Sequence, residues 1–202
     1  NVVRDVVVPG GRQTFKLTDL QPGTHYYAAV ATVCGENSYS EWQTIAFKTL
    51  CNAVKPEALG TNGVITFEAS EGYEVENIDL GCWVNGSLTD GAPDTYIPQV
   101  VAKNPHSGTN TLQIYSYEYS TIQCRGAYAI MPALDIDDIC KYQVSFYGFC
   151  DQQRGGNYPD VMTIGVVTDP SDVATFRAVD TIYGTNAMGS FTVKFDQLKG
   201  DD

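Results

Sequence analysis

The sequence is poor in the groups that most enzymes and nucleic-acid binders require. It has only two histidines, His25 and His106, so a catalytic base has few candidates. No Gly-x-Ser-x-Gly elbow surrounds any serine, and no glycine-rich phosphate loop is present. Lysine and arginine number 12 against 24 aspartates and glutamates, a net charge of −12. A field of that sign repels phosphate backbones, and no cationic cluster offsets it, which argues against nucleic acid. No apolar run approaches the roughly 20 residues of a membrane span, so membrane insertion is not expected. The six cysteines include no C-x-x-C pair, which argues against zinc. Their even number suits disulfides in an oxidising compartment or small buried side chains, and spacing leaves the connectivity open.

Strong helix formers are also scarce. Thr, Val, Gly, Asp and Asn dominate beside 13 Tyr and 8 Phe, a mix that favours strands and turns. At 43% hydrophobic the chain can bury a core. Over residues 14–20, Phe15 and Leu17 alternate inward, Leu20 closes a strand, and Pro22-Gly23 makes a turn. Tyr26 is placed to tuck its ring under that turn and bond backbone through its hydroxyl. Tyr26, Ala28 and Val30 share a face, Phe47 and Thr49 finish the next long strand, and Trp42 covers an edge.

Residues 51–60 carry a proline and no periodicity and read as a linker. Beyond it, short strands are expected at 64–67, 110–120 and 127–131. Alternating apolar positions mark three more: Tyr142/Val144/Phe146, Met162/Ile164/Val166 and Phe191/Val193/Phe195. Turn signals fall at Asn85-Gly86, Asp90-Gly91, Ser107-Gly108, 155–157 and Asp169-Pro170. The fold class is all-β.

Two resemblances refine this. Residues 20–49 resemble the last three strands of a fibronectin type III domain, which needs about seven strands. Phe67-Glu68 with Gly81-Cys82-Trp83, and the segments 106–112, 131–135 and 164–176, resemble MAM-like and cleaved-adhesin jelly-roll domains. Such modules are frequent in secreted surface proteins of Bacteroidetes-like bacteria, often beside fibronectin type III modules. The resemblances imply C-terminal fibronectin type III strands over 1–50, a linker over 51–60, and a jelly-roll β-sandwich over 61–202. Both modules would be truncated. They also imply a secreted or cell-surface protein with adhesive or glycan-binding roles.

Site candidates follow. Tyr115, Tyr117 and Tyr119 alternate opposite Leu112 and Ile114. If those aliphatics face inward, the tyrosines form an exposed platform on which a glycan could stack, whereas ordinary packing would bury them. Trp83 and Tyr96 are loop-side alternatives, and family analogy makes Trp83 core. Glu68 is where a jelly roll of this kind offers a ligand to structural Ca²⁺, its acidic partner coming from strands beyond Asp202. Asp135, Asp137 and Asp138 read as a turn, and Asp169 and Asp172 as turn caps. Both histidines read as surface residues. The expectation is therefore a non-catalytic adhesion or carbohydrate-binding module. Its partners would be a glycan or host surface protein and neighbouring domains of the same polypeptide. An accessory module of a secreted peptidase or glycosidase, or a structural spacer, is the alternative.

Overall fold

The computed structural model describes residues 6–8, 10–11, 14–89, 91–115, 117–119, 122–124, 126–150, 161–184 and 186–199. Among them the fold is all-β: every strand pairing is antiparallel, and helical structure is confined to three-residue 3-10 turns. The chain divides into two units, Asn1–Asn52 and Ala53–Asp202.

In the first unit, β1 (His25–Val30) pairs with β4 (Gln43–Lys48), placing Tyr26 opposite Phe47 and Ala28 opposite Ile45. Between them β2 (Val33–Gly35) and β3 (Ser38–Tyr39) form a short hairpin, with Asn37 in the left-handed turn position. The Tyr26 hydroxyl accepts the Gln21 N–H at 2.9 Å, and its ring stacks on Phe47 at 5.9 Å. Thr49 locks the same turn: its hydroxyl donates to the Gln21 carbonyl at 2.6 Å and accepts the Thr24 N–H at 2.9 Å. Residues 14–20, expected as a strand, join no ladder, and Phe15 and Leu17 are exposed. Alternation makes a strand only where a neighbour takes up its backbone hydrogen bonds, and no described strand lies alongside. Trp42 tilts against Tyr39 at 5.9 Å and stays exposed.

The second unit is a set of two-stranded antiparallel ribbons. Its strands are β5 (Val84–Ser87), β6 (Gln99–Val101), β7 (Thr111–Gln113), β8 (Tyr117–Tyr119) and β9 (Ile122–Cys124). They continue with β10 (Ala127–Ile130), β11 (Gln143–Gly148), β12 (Val161–Val167), β13 (Phe176–Tyr183) and β14 (Gly189–Lys194). The pairs β6–β7, β8–β9 and β12–β13 are sequence neighbours, whereas β5–β10 and β11–β14 bridge long stretches of chain. Leu80, Val100 and Val193 are at most 1% exposed and, with Pro98 and Phe195, form the buried core. Val193 lies opposite Val144, and Phe146 opposite Phe191 with rings 5.5 Å apart, so β11 and β14 turn one apolar face inward.

Several local expectations change. Residues 53–60 belong to the second unit: the Val54 N–H donates to the Ala133 carbonyl and the Asp135 N–H to the Val54 carbonyl, at 2.9 and 2.8 Å. Residues 64–67 make an isolated bridge and a loop instead of a strand, because Phe67 takes a left-handed backbone (φ 61°). Asn85-Gly86, expected as a turn, lies inside β5, where Gly86 sits beneath the Tyr128 ring and the Asn85 amide bonds the Ile78 and Pro98 carbonyls. The strand expected over 110–120 is two strands, β7 and β8. The turn at 155–157 lies outside the described residues. Cys51 and Cys82 are disulfide-bonded, and Cys34, Cys140 and Cys150 carry thiols.

Gly165 follows a register shift in β12, and a Cβ there would overlap the Arg177 carbonyl and lie 2.7 Å from the Phe176 ring. Gly165→Ala should therefore cost about 1–3 kcal/mol in urea unfolding. Gly148→Ala, whose Cβ would meet nothing closer than 3.8 Å, should change stability by less than about 1 kcal/mol.

Candidate functional site

Two carboxylates fix the left-handed bend at Phe67. Glu71 reaches back: its Oε2 accepts the Thr66 and Phe67 N–H groups at 2.9 and 3.0 Å, and its Oε1 accepts the Thr66 hydroxyl at 2.9 Å. Glu68 reaches across to residues 109–110. Its Oε1 accepts the Thr109 and Asn110 N–H groups at 2.7 and 3.0 Å, and its Oε2 the Thr109 hydroxyl at 2.7 Å. Asn110, only 8% exposed, completes the clamp by donating to the Phe67 carbonyl at 2.9 Å. Gly108 is required beside it. It sits at φ +69°, and a Cβ would overlap the Glu68 carboxylate.

The bend aims Phe67 at Tyr73 and Trp83, with ring centroids 5.2 and 5.7 Å away, and the Trp83 indole donates to the Tyr73 hydroxyl at 2.9 Å. Burial pushes the Tyr73 phenol up; the Trp83 hydrogen bond opposes that rise and the Glu71 charge adds to it. Glu68 is held below the usual glutamate range, first by the Thr109 hydroxyl and then by the Thr109 and Asn110 N–H groups.

As a calcium ligand Glu68 would need company. Ca²⁺ takes about six to eight oxygens, whereas three of this carboxylate's acceptor directions already serve protein donors. Among the described residues no group of three His, Cys, Asp or Glu side chains gathers as a metal site.

The three tyrosines do not share one unbroken strand. β7 ends at Gln113 and β8 begins at Tyr117, so the two-residue period that would align them is interrupted. Ile114, expected inward, is exposed. Tyr115 is 37% exposed and tilts against Tyr96 at 5.5 Å. The backbones of Tyr117 and Tyr119 pair with Cys124 and Ile122, and their side chains lie outside the described residues.

A second aromatic pair joins His106 and Tyr147. His106 stacks on Tyr147 almost parallel (8°) with centroids 3.6 Å apart, and both are exposed. The outward place of Tyr147 follows from Val144 and Phe146 facing inward; the approach of His106 joins residues far apart in sequence and has no local signal. His25 starts β1. Asp138 and Asp172 cap 3-10 turns by accepting the Cys140 and Ala174 N–H groups, and Asp169 accepts the Ser171 N–H, each at 2.9 Å. No protein family, curated protein or solved structure matches the chain.

The clamp separates a structural from a metal-binding Glu68. In Glu68→Gln one amide oxygen can still accept both N–H groups while the amide nitrogen donates to the Thr109 hydroxyl. Glu68→Gln should thus melt near wild type and Glu68→Ala clearly lower, with calcium added or not. Calcium-dependent stabilisation lost in Glu68→Gln would instead mark a metal ligand. Because Glu68, Asp138 and Asp169 are all held below their ordinary values, their contribution is complete above the usual carboxylate range. It is lost as pH falls through the lowered values. Melting temperature against pH should show this acid limb, shallower in Glu68→Gln.

Proposed function

We propose that the chain is a non-catalytic recognition module of a secreted or surface-anchored multi-domain protein, binding glycans or glycosylated surfaces. The observation that carries the reading is the pairing of partly exposed aromatic rings on the second unit, Tyr96 with Tyr115 and His106 with Tyr147. Aromatic faces left in water favour ligands with an apolar face and polar edges, as pyranose rings have.

The Gln21–Tyr26 corner bond supports a fibronectin type III origin for the first unit. The Phe67–Trp83 cluster and its Glu68 clamp support the jelly-roll reading of the second. The disulfide state of Cys51 and Cys82 supports an oxidising compartment. The net charge of −12 disfavours a nucleic-acid partner, and among the described residues no helix is long and apolar enough to cross a membrane.

Glycan-array screening of the purified chain tests the reading. Saturable binding to a restricted set of glycans is expected. A folded chain that binds none would leave a spacer role in its place.

A further inference from the structure

The face that carries Tyr147 is a run of exposed polar side chains on a two-stranded ribbon. β11 and β14 pair Tyr147 with Ser190, Ser145 with Thr192, and Gln143 with Lys194, and all six side chains are exposed. The Ser145 and Thr192 hydroxyls lie 2.9 Å apart and hydrogen-bond across the ribbon. Each keeps further donor or acceptor capacity toward solvent. Successive positions on one strand face are about 6.8 Å apart, so this hydroxyl pair sits one step from the Tyr147 ring. At that ring's edge of the ribbon, Tyr147 is 56% exposed and His106 lies flat against it. Stacking consumes one face of each ring and leaves the pair an outer face. The result is an aromatic step beside a row of hydroxyl and amide groups with one cation, Lys194, and no carboxylate.

We propose that this surface, Tyr147 and His106 flanked by Gln143, Ser145, Ser190 and Thr192, is a binding site for neutral pyranose glycans. The proposal rests on the glycan-binding reading above and assigns it a place and a ligand class. A sugar's C–H face stacks on the electron-rich ring face, and its ring hydroxyls exchange hydrogen bonds with the uncharged row. Neutral ligands are favoured because the row offers a single cation while the chain carries a net charge of −12, which repels sialylated or sulfated glycans. The β11–β14 ribbon positions Tyr147 rigidly, since its opposite face is anchored by Val144, Phe146, Phe191 and Val193. Preorganisation of this kind lowers the entropic cost of binding.

The test is titration calorimetry of the chain with neutral gluco-, galacto- and manno-configured oligosaccharides, with sialylated and sulfated oligosaccharides as counterparts. Wild type should bind a neutral member, Tyr147→Ala should weaken it about tenfold or more, and Tyr147→Phe should keep most of the affinity. His106→Ala should weaken it in the same direction. Tyr183→Ala, which removes an exposed tyrosine from β13, should leave it unchanged. Near-UV circular dichroism confirms that each variant is folded. Wild-type binding that survives both Tyr147→Ala and His106→Ala overturns the site and leaves the glycan-binding reading standing. Loss in Tyr115→Ala with Tyr147→Ala intact overturns it likewise and moves the ligand to the other aromatic pair. Binding of charged glycans only overturns the ligand class. A wild-type chain that binds none overturns both readings.

Discussion

The second unit is organised around the grip of Glu68 on residues 109 and 110. That carboxylate joins the bend at Phe67 to the segment entering β7, and thereby to the β6–β7 ribbon whose Val100 lies in the core. The bend needs such support. A bulky residue in the left-handed region costs on the order of 1–3 kcal/mol and persists only where its surroundings over-determine it. Here Glu71 holds the bend from within, Glu68 and Asn110 hold it from across, and the Phe67 ring gains Tyr73 and Trp83 as neighbours. Gly108 is the cost in sequence freedom, since no side chain fits between the carboxylate and the loop. The same grip fixes the base of the loop whose His106 lies on Tyr147.

What could be read from the residues follows the range of the interaction. Strand content, the inward faces of β11 and β14, and the Tyr26 corner were legible because period-two alternation and turn chemistry are local signals. The strand expected over residues 14–20 shows the limit: its pattern was right for a strand, but no ladder partner is described. At Asn85-Gly86 a turn dipeptide was overruled, because Gly86 accommodates the Tyr128 ring and Asn85 spends its amide on two carbonyls. Of the tyrosine row that alternation suggested, only the Tyr115 side chain lies among the described residues, and its backbone falls between β7 and β8. Glu68 was singled out by position, and its hydrogen-bonding partners, some forty residues away in the chain, were not readable.

The first unit illustrates a related constraint. A two-stranded ribbon has little independent stability, and β1–β4 gains order mainly at one end, where Tyr26, Phe47 and Thr49 tie the turn at Pro22-Gly23. Toward the other end, on the same face, Val30 and Ile45 are each 66% exposed. Polar locks and apolar exposure thus divide the ribbon lengthwise, and its register is set from the corner outward.

The acidic excess also takes on a different meaning. Read as composition, 24 carboxylates against 12 cations suggest a solvated surface or a cation trap. Read as contacts, many of them hold backbone. Glu68, Glu71, Asp79, Asp138, Asp169 and Asp172 each accept at least one main-chain N–H. An all-β chain with short strands leaves many loop N–H groups without ladder partners, and those groups must be satisfied by something other than another strand. Glu68 and Glu71 do this with one side chain serving three donors, and each such bond is stronger for the negative charge. For these six of the 24 acidic side chains, the charge serves as loop-fastening chemistry. The face formed by β11 and β14 has no carboxylate on either strand and presents hydroxyls and rings instead.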